Sequence, residues 1–181
     1  MGTLCKGRPR VKALGDYARQ SLRISGERSG FYPGMLLKGT AGEPLPCGGV
    51  HWSISHKPEC VAGVVSHVPG GIDIERVKPV SDNLFNKILA PEEAACFGES
   101  DRVEAFFKTF TAKEAVLKTH GVGLAGLSRV RVVAAPTPLV TRLDYQGDVC
   151  TVAHFWVDGH IASVVREGVD VVWECVHVSP S

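Results

Sequence analysis

The second half of the chain contains several strand-like segments that follow one another with no helix between them, and this order restricts the fold strongly. Strands are predicted over residues 130–134, 139–143, 150–157 and 160–165, which are rich in valine and other strand-forming residues. The pair Asp158-Gly159 is typical of a two-residue hairpin turn. Because strands joined by short turns pair with their neighbours, the sequence predicts an α+β protein with a mostly antiparallel sheet.

One long helix precedes these strands and is predicted over residues 103–120, with Gly121 ending it. Its apolar side is formed by Val103, Phe106, Phe107, Phe110 and Leu117. A second helix is predicted over 12–24, ending at Gly26, and a third begins at Pro91. The other predictions are strands at 50–55 and 71–77, a helix or buried strand at 60–68, a loop with one short strand at 29–49, and a further candidate strand at 171–178.

Composition argues against several classes of protein. Of the 181 residues, 44% are hydrophobic and 22% are charged, as in a folded globular chain. The formal net charge is +1, which predicts no nucleic-acid partner. No apolar run approaches the about 20 residues that a membrane helix needs, and the N-terminal residues lack the apolar core of a secretory signal. Six widely spaced cysteines form no CxxC pair, so they are interpreted as reduced thiols of a cytoplasmic protein.

Two carboxylates alternate along the predicted strand at 71–77. Asp73 and Glu75 are two residues apart, so they share one face of the strand while Ile72 and Ile74 share the other. Two like charges on one face repel unless a positive charge lies between them, and Mg²⁺ prefers such carboxylate oxygens. The alternative is an ordinary exposed polar edge of a half-buried strand.

Two further groups of polar residues are candidates for a site. Glu114 and Lys118 share a face of the long helix, either beside a cleft or as a surface ion pair. Ser55, His56 and Lys57 end a predicted strand, where they could grip a phosphate or simply cap a turn in solvent. No GxSxG motif is present, which excludes the hydrolase that would use it.

The order of these segments resembles the 4′-phosphopantetheinyl transferase superfamily, and within it the Sfp-type branch. The resemblance lies in Trp52-Ser53-Ile54-Ser55-His56, Gly71-Ile72-Asp73-Ile74-Glu75, the helix from Phe106 to Lys118 with its Lys113-Glu114-Ala115 core, and Gly121-Val122-Gly123-Leu124. It implies two similar α/β lobes with pseudo-twofold symmetry. The N-terminal lobe, residues 1–69, would be shortened, and the C-terminal lobe, residues 70–181, would carry the metal-binding acids.

The resemblance also implies a reaction. A Mg²⁺-dependent enzyme of this kind transfers 4′-phosphopantetheine from coenzyme A to a serine of an apo acyl carrier protein or peptidyl carrier domain, releasing 3′,5′-ADP. Asp73, Glu75 and Glu114 would bind the metal, and Asp73, Glu114 and Lys118 would be catalytic. Ser55, His56, Lys57 and Lys118 would bind the coenzyme A phosphates. A bound water is an equal candidate for the base that deprotonates the serine.

Three positions depart from the family pattern. Glu43 stands where the family has a lysine, Phe110 where it has a tryptophan, and Lys57 where serine is common. Glu43 and the short first lobe motivate one alternative, a relative that binds coenzyme A or a carrier without transfer. The acids motivate another, a Mg²⁺-dependent phosphohydrolase. The sequence does not indicate which carrier protein is served.

Overall fold

The computed structural model describes residues 8–177, with side chains from residue 14 onward. The helices are α1 (Arg8–Ser29), α2 (Asp82–Ile88), α3 (Pro91–Ala95) and α4 (Arg102–Thr119), with a 3-10 helix at Leu124–Arg129. The strands are β1 (Leu37–Lys38), β2 (Pro44–Leu45), β3 (His51–Lys57), β4 (Cys60–Ser66), β5 (Ile72–Arg76), β6 (Val130–Thr137), β7 (Val140–Tyr145), β8 (Asp148–Val157) and β9 (His160–Val165). No helix in this described range has the length and apolar character to cross a membrane. The prediction about the N-terminal segment lies outside the described residues.

The second half of the chain folds as a five-stranded antiparallel sheet, which confirms the α+β class. Its strand order is β5-β9-β8-β7-β6. Asp158 and Gly159 join β8 to β9 with φ values of 46° and 71°. Positive φ at both central residues is the type I′ hairpin that the Asp-Gly pair predicts.

Helix α4 covers this sheet and buries most of its length against it. Asp101 caps the helix by accepting hydrogen bonds from the backbone N–H groups of Val103 and Glu104. Ala112, Ala115 and Val116 have no exposed surface and pack with residues of β6, β7 and β8. The prediction of a helix over 103–120 is therefore confirmed to within one residue at each end.

The first half of the chain places α1 on the β3–β4 hairpin, around a small core of Leu22, Val50, Trp52 and Val65. The apolar run at 60–68 is a strand here, which decides between the two structures the sequence allowed. The predicted end of α1 at Gly26 is wrong, because the helix continues to Ser29. A side chain at Gly26 would lie 2.6 Å from the Tyr32 ring, so this glycine is needed for a close approach and not as a helix stop.

Other differences also come from tertiary contacts. Residues 171–177 form no strand. Instead Trp173 stacks on Phe155, and Glu174 forms a two-pronged ion pair with Arg28. Helix α2 was not predicted, although Ser81 caps it. The division at residue 69/70 falls between β4 and β5, and the pseudo-twofold relation of two lobes stays a prediction.

A buried imidazole lies in a hydrogen-bond network that joins four elements of the second half, β7, β8, β9 and α4. His154 on β8 is bonded to the hydroxyls of Thr141 and Ser163, each at 2.8 Å, and Ser163 in turn contacts Thr111 of α4. Burial first, and then the nearby Lys108 ammonium, lower the pKa of His154 to about 3. The imidazole is therefore neutral in the folded protein.

This imidazole should make the fold sensitive to mild acid. Between pH 6.5 and about 3 the unfolded chain takes up a proton on His154 that the folded chain does not. The free energy of unfolding therefore decreases as the pH is lowered, by up to about 1.4 kcal/mol per pH unit. Urea unfolding of the wild type between pH 7 and 5 should show this slope, and H154Q should show less of it. Equal slopes in the wild type and H154Q would contradict the assignment.

Candidate active site

The β3–β4 hairpin, the sheet edge at β5 and the C-terminal half of α4 meet at one place. The Ser53 hydroxyl on β3 accepts a hydrogen bond from the backbone N–H of Ile72 on β5, at 3.1 Å. The N–H of Gly71 donates to the Thr119 hydroxyl of α4 at 2.7 Å. A side chain at Gly71 would overlap the Ala115 carbonyl oxygen, so only glycine lets β5 approach the helix this closely.

Asp73 lies at the centre of this junction and is only 5% exposed. Its Oδ1 accepts hydrogen bonds from the Ser55 hydroxyl and the Lys118 ammonium, both at 2.8 Å. Lys118 also donates to the Ile72 carbonyl oxygen at 3.0 Å. The second oxygen, Asp73 Oδ2, is buried and has no hydrogen-bond partner among the described residues. Asp73 is therefore buried. The alternative hypothesis, that the acids form an ordinary exposed polar edge of the strand, is wrong for this residue.

Glu75 lies two residues along the same strand and forms an ion pair with Lys57, with 2.7 Å between Nζ and Oε1. Because side chains alternate along strands, Ser55 and Lys57 of β3 face Asp73 and Glu75 of β5 as two matched pairs. Burial raises the pKa of Glu75 more than any other influence, and the Lys57 ammonium opposes that rise.

Glu114 completes the acid cluster from α4. Its Oε1 is buried and has no hydrogen-bond partner in the described part of the chain. Burial, and next the negative charge of Asp73, raise the pKa of Glu114 to about 6, against the pull of Lys118. Lys118 forms its ion pair with Asp73, so the sequence alternative of a surface pair between Glu114 and Lys118 is not what forms. Asp73, Glu75 and Glu114 together are called the acid cluster below.

The chemistry of the cluster suits a hard cation, although its side chains are not arranged as a finished metal site. Across residues 8–177, no group of three or more His, Cys, Asp or Glu side chains is placed so that it could hold a metal ion. One oxygen each of Asp73 and Glu75 is held by an ammonium group. The unpartnered buried oxygens of Asp73 and Glu114 are nevertheless donors of the kind that Mg²⁺ prefers.

Two other residues singled out from the sequence, His56 and Glu43, lie outside the acid cluster. His56 follows Ser55 on the opposite face of β3 and is exposed. Glu43 accepts a hydrogen bond from the Ala41 N–H in the β1–β2 turn. Gly121 is close to Glu43, since a Cβ added at Gly121 would lie 3.5 Å from Glu43 Cγ.

Sequence reasoning missed one buried ion pair beside the site. Lys113 precedes Glu114, and its ammonium contacts Glu93 of α3 and the Ile88 carbonyl oxygen at 2.8–3.0 Å. The same Glu93 carboxylate accepts N–H bonds from Val132 and Ala90. The available signal was Glu93 at the third position of a helix that begins at Pro91, a capping position.

A comparison with known families identifies the half of the chain that holds the acids. The sequence model described as the 4′-phosphopantetheinyl transferase superfamily matches residues 69–165, just over half of the 181 residues. The chain belongs to this superfamily. The matched range holds α2 to α4 and β5 to β9, and with them Asp73, Glu75, Glu114 and Lys118. The β3 residues Ser55, His56 and Lys57 lie before it.

Individual transferases of this superfamily show similarity over shorter stretches. The 4′-phosphopantetheinyl transferase gsp of Aneurinibacillus migulanus is 30% identical over 93 residues, which are 50% of this chain and 39% of that protein. The transferase psf-1 of Bacillus pumilus is 35% identical over 82 residues, 43% of this chain and 35% of that protein. Sfp of Bacillus subtilis strain 168 is 31% identical over 78 residues, 41% of this chain and 35% of that protein. The chain therefore aligns with little more than a third of the length of these relatives.

Proposed function

We propose that this protein transfers the 4′-phosphopantetheine group from coenzyme A to a serine of an apo acyl carrier protein or peptidyl carrier domain, and releases 3′,5′-ADP. Membership of the superfamily supports the reaction type. The named relatives are 4′-phosphopantetheinyl transferases, and their aligned stretches support the same proposal.

The observation that carries the proposal is the acid cluster itself. Three carboxylates from β5 and α4 lie beside two ammonium groups and the Ser55 hydroxyl, and two buried carboxylate oxygens have no partner within residues 8–177. Leaving a buried charged oxygen unpaired is costly, so such oxygens indicate a site arranged for a ligand more than for stability. A cation and a pyrophosphate together would satisfy both signs of charge at this junction.

The acid cluster and the residues around it would have different roles in binding the metal and the substrate. Asp73, Glu75 and Glu114 would hold Mg²⁺, which when bound offsets negative charge on the pyrophosphate. The Lys118 side chain is 29% exposed, and its ion pair with buried Asp73 fixes its position. Its ammonium group can therefore contact a phosphate that binds beside the cluster. Ser55 would add a hydrogen-bond donor at the end of β3, and Lys57 a positive charge. His56, which the resemblance also assigns to the phosphates, lies on the opposite face of that strand and would need the substrate to extend around it.

The proposed chemical step is a single displacement at phosphorus. The serine oxygen of the carrier forms a bond to the β-phosphorus of coenzyme A, and the bond from that phosphorus to the oxygen of 3′,5′-ADP breaks. The serine proton goes to Glu114 or to a water molecule. Lys118 offsets the charge on the departing phosphate, and positioning with charge neutralisation provides most of the rate enhancement.

The direct test is incubation of the protein with coenzyme A, Mg²⁺ and a panel of apo carriers, followed by intact-mass measurement. A mass increase equal to one phosphopantetheine group on the carrier serine is expected, and a serine-to-alanine carrier should remain unmodified. Release of 3′,5′-ADP without a carrier would indicate a phosphohydrolase instead. Coenzyme A binding by calorimetry with no modification of any carrier would indicate a binding protein and overturn the proposal.

A further inference from the structure

Lys57 is positioned by the fold and not by chance contact at the surface. It is the last residue of β3 and pairs with Cys60 across the β3–β4 hairpin, so its backbone is held in register. Its side chain is about one-third exposed and Glu75 is mostly buried, with 34% and 16% of their side-chain surfaces accessible. An ion pair with one side chain this buried is weakened less by solvent than a fully exposed pair.

Two of the three acids of the cluster have one oxygen against an ammonium group, and for Glu75 that group is Lys57. Asp73 keeps one unpartnered oxygen after binding Lys118, and Glu114 keeps one of its own. Glu75 instead places Oε1 against Lys57 at 2.7 Å. A divalent cation that binds Glu75 through Oε1 must therefore displace an ammonium group that is already in place.

We infer that Lys57 is an internal counter-cation that competes with the divalent cation for Glu75 and so lowers the metal affinity of the acid cluster. This rests on the proposed function only in placing a metal at Asp73, Glu75 and Glu114. When Glu75 turns to the metal, the Lys57 ammonium is released beside the cluster, where the pyrophosphate of the substrate would lie. Lys57 thus links metal binding to a positive charge for the substrate.

Metal binding can be measured without any transfer reaction by titrating the full chain with Mn²⁺ and following free Mn²⁺ by electron paramagnetic resonance. K57M should bind Mn²⁺ about tenfold more tightly than the wild type, because both the competing ion pair and a nearby positive charge are removed. K78M is the matched control. Lys78 is exposed and its charge acts on Glu75, but the ion pair of Glu75 is with Lys57, so K78M should change the Mn²⁺ affinity much less.

A double-variant cycle separates competition for Glu75 from a general change in charge. In an E75Q background Lys57 has no carboxylate to withhold, so K57M should there produce less than a threefold gain. Equal gains in K57M and K78M, a full gain in the E75Q background, or no Mn²⁺ binding by either wild type or K57M would each overturn the inference. An unchanged Mn²⁺ affinity in a K57M protein that still modifies carriers would refute the role of Lys57 and leave the transfer reaction standing. Tighter Mn²⁺ binding by K57M, in a protein that modifies no carrier, would support the role of Lys57 and refute the transfer reaction.

Discussion

Replacing Glu114 by glutamine is expected to reduce carrier modification by about 100-fold or more, the cost typical of removing one preorganised electrostatic contact in an active site. The same change should leave the fold intact or stabilise it. Glu114 Oε1 is buried without a partner in the described range and lies near the negative charge of Asp73. A neutral amide of the same shape removes that repulsion, and a gain of up to about 3 °C in Tm is expected.

The opposite signs of these two effects are what make the experiment informative. Replacing a residue that only supports the fold lowers activity and stability together. Replacing a functional acid that is held near another negative charge lowers activity alone. E59Q is the matched control, because Glu59 is an exposed acid paired with Arg76 close to the same hairpin. E59Q should keep near-wild-type transfer. Full transfer by E114Q would remove Glu114 from the proposed mechanism.

The second large effect concerns stability, at the ion pair between Lys113 and Glu93. Both residues are buried, with 4% and 5% of their surfaces exposed. Removing one partner leaves a buried charge unpaired, so K113M is expected to lower the free energy of unfolding by about 3–5 kcal/mol. Glu93 would still hold α3 to β6 through its bond from Val132 N–H, but as an isolated buried carboxylate. Urea unfolding followed by circular dichroism measures this loss.

Two further variants distinguish a buried pair from the general effect of losing a charge. R76Q breaks the exposed pair with Glu59 and should cost no more than about 1 kcal/mol. The double variant E93Q/K113M leaves no unpaired charge and should recover a substantial part of the loss seen in K113M alone. A K113M protein as stable as R76Q would show that this ion pair contributes little to the fold.

The strands and the long helix were predictable because their signals are local. Valine-rich segments, the Asp158-Gly159 turn and the apolar side of α4 each depend on residues within a few positions of one another. Where a local signal failed, contacts outside the element showed why. Gly26 is typical of a helix stop, yet it lies inside α1, where its missing side chain leaves room for the Tyr32 ring. The apolar run at 60–68 fits helix and strand equally, and only its pairing with β3 decides.

The candidate site shows the same division. The spacing of Asp73 and Glu75 on one strand, and of Glu114 and Lys118 on one helix, was contained in the sequence and set which side chains share a face. The sequence did not show which faces of separate elements contact each other, since Ser55 and Lys118 bind Asp73 from 18 and 45 residues away. Periodicity describes one element at a time, whereas ion pairs such as Lys57 with Glu75 depend on how separate elements pack. The sequence by itself therefore determined the elements and the candidate acids, and only tertiary packing decided which of them are buried, paired or left without a partner.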